Sequence, residues 1–179
     1  LENTDITTNE RGAIVVNDTC ESSVPGVYAV GDVNGGPQFT YISLDDFRIV
    51  FGALTGNGHY TLKDRKNIPY TTFLTPPLAR VGLTEEDAIN KGYTVKTKEM
   101  LVATMPRAHV NDNLKGAFKI VVDAESNLIL GATLYSQSAE ELINMIKVAM
   151  DNNIPYTYFK NQIFTHPTMA ENLNDLCNF

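Results

Sequence analysis

The 179-residue sequence is poor in cysteine and contains no tryptophan. Its two cysteines, Cys20 and Cys177, stand near opposite ends of the chain. They leave no disulfide framework and no CxxC redox or metal motif, and they suit a reducing, cytoplasmic setting. Long apolar runs are missing as well. Residues 27–30 and 128–130 fall far short of the roughly 20 needed to span a membrane as a helix. No basic segment followed by an apolar one opens the chain, so no signal peptide is expected. Positive charge is in deficit, with 14 Lys+Arg against 21 Asp+Glu and a formal charge of −7. Phosphate neutralisation needs clustered Lys and Arg, so nucleic acid is not an expected partner, nor is a membrane. His59 and His109 have no companion at ligand spacing, and no metal site is expected.

What is present is the composition of an ordinary globular chain, 43% hydrophobic and 20% charged. A chain of this size can bury enough surface for one good core or two small ones. It opens on Leu1 in mid-pattern and reads as an excised piece of a longer protein. Residues 12–17 form a β-branched run, and Val24-Pro25-Gly26 is a turn signal. The apolar stretch 27–30 predicts a buried parallel strand, broken by Gly31-Asp32 and a loop containing Gly35-Gly36-Pro37. A helix follows, with Leu44, Phe47, Phe51 and Leu54 on one face. Ser43 and Asp46 have capping-box spacing at its start, with Thr40 an earlier candidate, and Gly56-Asn57-Gly58 ends it. The polar stretch 61–67 is the candidate domain boundary.

Beyond it the pattern changes. Strands are predicted at 72–75, 79–82, 93–97, 100–105, 117–122 and 128–135, the last two as a hairpin. Thr84 and Asp87 open a helix that Gly92 closes. Ser138 and Glu141 open another, with Leu142, Ile146, Ala149 and Met150 on its apolar face. Pro155 suits the first turn of a short helix, and a final helix carries Leu173 and Leu176. Strands followed by helices, with hairpins, argue an α+β fold for this part.

Two places could carry chemistry. At Gly31-Asp32 a hydrophobic run ends in a glycine that allows close backbone approach and in an acid able to accept hydrogen bonds from sugar-like hydroxyls. The plainer reading is a turn whose Asp caps its own loop. Near the tail, His166 and Glu171 could form an acid–base pair, because an imidazole with an ordinary pKa of about 6.5 titrates near working pH. Pro167 restricts the backbone of His166 and allows a cis peptide, which would direct the ring. The plainer reading again stands beside it: Thr168 and Glu171 are spaced as a simple capping box.

Taken together, Tyr28-Ala29-Val30-Gly31-Asp32-Val33, Phe39-Thr40, the segment Thr75-Pro76-Pro77-Leu78-Ala79-Arg80-Val81-Gly82-Leu83-Thr84-Glu85 and His166-Pro167-Thr168-Met169-Ala170-Glu171 resemble the pyridine nucleotide-disulfide oxidoreductases. That flavoprotein family includes glutathione reductase, dihydrolipoamide dehydrogenase and mercuric reductase. The resemblance implies that residues 1–66 are the carboxyl-terminal part of an α/β FAD-binding domain. Residues 67–179 would be the α+β dimerisation domain, an antiparallel sheet with flanking helices. It also implies FAD as cofactor, NAD(P)H as reductant in the full-length enzyme, a small-molecule or thiol/disulfide substrate, and a homodimer. Asp32 would bond the flavin's ribityl chain, beside Gly31, while Gln38, Phe39 and Thr40 would pass its pyrimidine edge. Tyr41 departs from the Pro or His often found after this Thr. His166 would be the acid/base delivered to the partner subunit's site, and Glu171 would orient it. Residues 35–48 resemble a bacterial branch linked to defence against reactive chlorine and hypothiocyanite. The family's GxGxxG loop, Cys-x4-Cys pair and second Gly-rich loop are absent, so the chain alone is expected to be catalytically silent. The competing expectation is a dimerisation scaffold in which the histidine has no catalytic role.

Overall fold

Alternating burial along residues 117–135 builds the centre of a five-stranded sheet. The computed structural model describes all residues, 1–179, and the chain divides into two compact units, Leu1–Arg65 and Lys66–Phe179. The sheet belongs to the second unit. Its strands are β1 (Tyr70–Thr72), β2 (Leu78–Gly82), β3 (Val95–Leu101), β4 (Ala117–Asp123) and β5 (Ile129–Tyr135), in the order β1-β2-β5-β4-β3 and antiparallel throughout. The register sets Phe118 opposite Leu134 and Ile120 opposite Ala132, with Ala79 and Val81 of β2 continuing the same face. The helices of the unit are α2 (Glu85–Asn90), α3 (Pro106–Val110), α4 (Ala139–Asp151), α5 (Tyr156–Asn161) and α6 (Asn172–Leu176). Ile143 and Ile146 of α4, Phe159 of α5, and Leu173 and Leu176 of α6 join that sheet face in one core. Each such side chain contributes about 1.5–3 kcal/mol by leaving water. The unit is α+β, as its strand-then-helix pattern implies.

Several local expectations are corrected. Residues 93–97 and 100–105 are not two strands but one, β3, paired with β4 along its whole length. Lys96, Lys98 and Glu99 lie within it, which an edge strand tolerates because charge there discourages further pairing. The chain then leaves the sheet in a short 3-10 turn, Val102–Thr104. The first strand lies at Tyr70–Thr72, ahead of Thr75-Pro76-Pro77, because proline cannot donate to a ladder. Thr84 and Asp87 do form a reciprocal cap on α2. Ser138 does not cap α4 with its side chain, because its backbone is left-handed (φ 65°) rather than extended. Its carbonyl instead accepts the Glu141 and Leu142 amides.

In the first unit, residues 27–30 are not a buried strand. Tyr28 makes a single antiparallel bridge with Glu21, while Val27 and Val30 are 38% and 41% exposed. A parallel strand becomes buried only when neighbours pair on both sides, and this unit supplies none. Helix α1 (Thr40–Thr55) is present and ends at Gly56, left-handed at φ 70°. Its Leu44, Phe47, Phe51 and Leu54 stripe is continuous but exposed, while Ile42, Asp46 and Ile49 are buried. Ser43 and Asp46 form no capping box. The N-cap is Phe39, without a side-chain cap, and Asp46 is a buried residue of the helix body.

Candidate functional site

The histidine corner is assembled by short-range hydrogen bonds on the approach to α6. Thr168 Oγ1 accepts the Glu171 amide at 3.2 Å, and Glu171 Oε1 accepts the Thr168 amide at 3.1 Å. The reciprocal pair forms, but it closes a turn ahead of α6 rather than capping it, because the α6 N-cap is Glu171 itself, and it uses only one carboxylate oxygen. The other, Oε2, lies 2.7 Å from His166 Nδ1. An ionised carboxylate can only accept, which assigns the proton to Nδ1 and leaves Nε2 without a partner in the chain. The imidazole is 69% exposed and Glu171 only 18%. At that exposure the pair orients the ring more than it stabilises the fold. The His166–Pro167 peptide is cis.

Two asparagines hold the corner, and nothing in their spacing announced them. Asn172, buried, donates Nδ2 to the Thr168 and Met169 carbonyls at 3.2 and 3.0 Å. Asn174 donates to the Phe159 and Gln162 carbonyls at 2.7 and 2.9 Å, closing the loop between α5 and α6.

In the first unit, Gly31 opens a 3-10 turn, Gly31–Asn34, at φ 74°. A Cβ there would sit 2.4 Å from Ser43 Oγ, so glycine is required on two grounds. The Gly31 N–H is committed to Asp46 Oδ2 at 2.7 Å, and Asn34 Nδ2 donates to the same oxygen at 2.9 Å. Arg65 completes the cluster, with NH2 on Asp46 Oδ1 and Nε on Asp45 Oδ2 at 2.8 Å. Burial works against the guanidinium charge, yet Asp46 and Asp45 together push the Arg65 pKa up. The carboxylate of Asp32 is exposed and makes no hydrogen bond or ion pair within the chain. Gln38 is exposed, Phe39 stacks on Tyr41 at 5.1 Å, and Thr40 is the first residue of α1. An unpaired acceptor beside a helix N-terminus fits a ligand that offers hydroxyl donors and gathers negative charge. Sequence reasoning singled out the Asp32 turn but missed the Asp46–Arg65 pair that holds it.

The description "pyridine nucleotide-disulphide oxidoreductase, dimerisation domain" matches residues 68–177, and "pyridine nucleotide-disulphide oxidoreductase" matches residues 1–46. The chain is 49% identical over 175 residues to the probable pyridine nucleotide-disulfide oxidoreductase RclA of Escherichia coli, covering 98% of this chain and 40% of that protein. It is 34% identical to a mercuric reductase of Staphylococcus aureus, covering 97% of this chain and 31% of the relative. Among solved structures it superposes on the HOCl-induced flavoprotein disulfide reductase RclA from Escherichia coli. That match has a TM-score of 0.95 at 48% identity, and covers 98% of this chain and 40% of that one. The chain thus spans less than half the length of these relatives.

Proposed function

The chain belongs to the pyridine nucleotide-disulphide oxidoreductase family, and on that premise we propose that it is the carboxyl-terminal part of an FAD-dependent NAD(P)H:disulfide-type oxidoreductase of the cytoplasm. Residues 1–66 complete its FAD-binding domain and 67–179 form its homodimer interface. The observation that carries this reading is the 2.7 Å contact between His166 Nδ1 and Glu171 Oε2, which leaves Nε2 on an exposed ring.

With Nδ1 occupied, Nε2 is the nitrogen that exchanges protons. It takes the proton from an attacking thiol of the partner subunit's redox centre or the substrate. The resulting thiolate forms a new S–S bond as the old one breaks. Nε2 then returns the proton to the departing sulfur. Glu171 keeps the ring in one tautomer and balances the imidazolium while it carries that proton. When bound, FAD supplies the two-electron relay between NAD(P)H and the thiols. Asp32 would hold its ribityl hydroxyls, with the Gly31 turn fixing that carboxylate. Gln38, Phe39 and Thr40 would border the pyrimidine edge at the positive end of α1.

The direct test is His166→Ala in the full-length enzyme, assayed with NAD(P)H and a disulfide. Loss of about 10²–10⁴ in turnover, with the flavin spectrum unchanged, is the expected result. The second reading, a dimerisation scaffold in which His166 is idle, rests on the bond of Glu171 Oε1 to the Thr168 amide, a purely structural use of that side chain. It takes over if the variant turns over like wild type. The 179-residue chain alone is expected to bleach no flavin when mixed with FAD and NADPH.

A further inference from the structure

We propose that the cleft beside the His166 corner, walled by Arg107, takes the anionic group of the substrate, so that the enzyme prefers carboxylate-bearing thiols and disulfides. This rests on the reading of His166 given above and names the substrate class of the same site. The cleft has a volume of ≈ 400 Å³ and is lined by Arg107, Asn111, Gln137, Ser138, Pro167 and Thr168, with Met169 beside them. Pro167 and Thr168 directly follow His166, so a molecule seated there lies next to the corner that presents the imidazole.

Four of the lining side chains are polar and uncommitted. Arg107 and Asn111 are four residues apart across α3 and its end, and so project on one side. Helix α3 is anchored by Met105 and Ala108, both buried, and His109 Nε2 lies 2.8 Å from the Ala103 carbonyl. Arg107 is half-buried and makes no ion pair or hydrogen bond within the chain. The side chains of Asn111, Gln137 and Ser138 likewise have no hydrogen-bond partner in the chain. Ser138 is held left-handed, and its hydroxyl is not used to cap α4. A guanidinium partly withdrawn from water without a counter-ion is an unmet electrostatic demand, and its planar donor fork matches a carboxylate. The neighbouring amides and hydroxyl supply the further bonds that fix such a group. The volume suits a small molecule and is too small for a folded segment. In a chain of net charge −7, a local cation offsets the unfavourable overall field for an anion.

The test uses the full-length holoenzyme, with 3,3′-dithiodipropionate and its neutral diamide as probes, which share one skeleton and differ in carrying carboxylate or uncharged amide ends. Calorimetry should show the dicarboxylate binding about tenfold more tightly than the diamide, the gain of one charge-assisted hydrogen-bonded pair. Arg107→Gln should remove that preference while leaving diamide binding and the flavin spectrum unchanged. Arg107→Lys should keep part of it, as a point charge without the fork. Equal affinity for both probes in wild type overturns the proposal, as does binding of the dicarboxylate weaker than about 10 mM. Survival of the preference in Arg107→Gln overturns it too. His166→Ala keeps the carboxylate preference in binding while turnover is lost. If its turnover survives instead, the catalytic reading falls while the Arg107 result is judged separately.

Discussion

Asp46 accepts the backbone N–H of Gly31 at 2.7 Å from inside α1, tying the turn that carries Asp32 to a helix that starts at Thr40. Asp46 is fully buried and is paired there with Arg65. The cluster is therefore structural support for the exposed carboxylate of Asp32.

Removing Asp46 should be severe. Asp46→Ala strands the Gly31 amide and leaves Arg65 with Asp45 alone, and breaking such a buried pair costs about 3–5 kcal/mol. Asp46→Asn should cost less, because its carbonyl oxygen can still accept from Gly31. Urea unfolding of the full-length protein, followed with flavin content, checks both the order and the size.

Gly31→Ala tests the turn itself. The φ of 74° and the approach of Ser43 Oγ both oppose a Cβ, at a cost of about 2 kcal/mol or more. Adding Ser43→Ala should recover only part of the loss, since the backbone strain persists. Full recovery in a denaturation experiment would show that contact with Ser43 is the whole effect.

Glu171→Gln separates the two uses of that side chain. Its amide oxygen can still accept from Thr168, so stability should change little. Turnover should fall about tenfold, a part of the 10²–10⁴ that a positioned acid–base group supplies. Glu171→Ala should also lose about 1 kcal/mol of stability with the bond to the Thr168 amide. Steady-state rates and melting curves on the two variants together distinguish ring orientation from support of the turn.

The two thiols should be silent at neutral pH. Burial pushes Cys177 up to about 12, and burial with the nearby Asp46 charge pushes Cys20 up to about 11, from an ordinary 9.0. Both folded values lie above the unfolded one. Neutral thiols thus add no pH dependence below about 9, and stability falls above it, where the unfolded chain releases protons that the folded chain retains. Iodoacetamide at pH 8 should label neither until urea is added. Cys177→Ala should flatten the alkaline loss of stability.

At the acid end, the Asp123 carboxyl is held below its ordinary 3.8 by the Ser126 hydroxyl and the Glu125 and Ser126 amides. Its folded pKa is depressed, so its contribution is present above 3.8 and is lost as pH falls through the folded value. Amide exchange at 125 and 126 should therefore rise at acid pH relative to the strands. Ser126→Ala should bring that rise to higher pH.

How far these features could be read from the chain depended on their range. The β4–β5 hairpin, the Thr84–Asp87 cap and the Gly56 helix stop all rest on neighbours within a few residues or across one turn, and each is found. The His166–Glu171 pair is likewise local, five residues apart, and Glu171 reaches both His166 and the Thr168 amide because one carboxylate has two oxygens. Residues 27–30 and the stripe on α1 failed as indicators of burial, because periodicity shows which side chains share a face but not what covers it.

By itself the amino-acid order settled part of the local chemistry: the cap that opens α2, the glycine that stops α1, which strands form a hairpin, and that an imidazole lies within reach of a carboxylate. Only the tertiary structure decided that Asp46 lies buried against Gly31 and Arg65, and that Arg107 and Ser138 line one cleft beside the His166 corner. The reason is physical. Backbone preferences and hydrogen bonds act over a few residues, whereas burial and the pairing of distant charges depend on which surfaces the folded chain brings together.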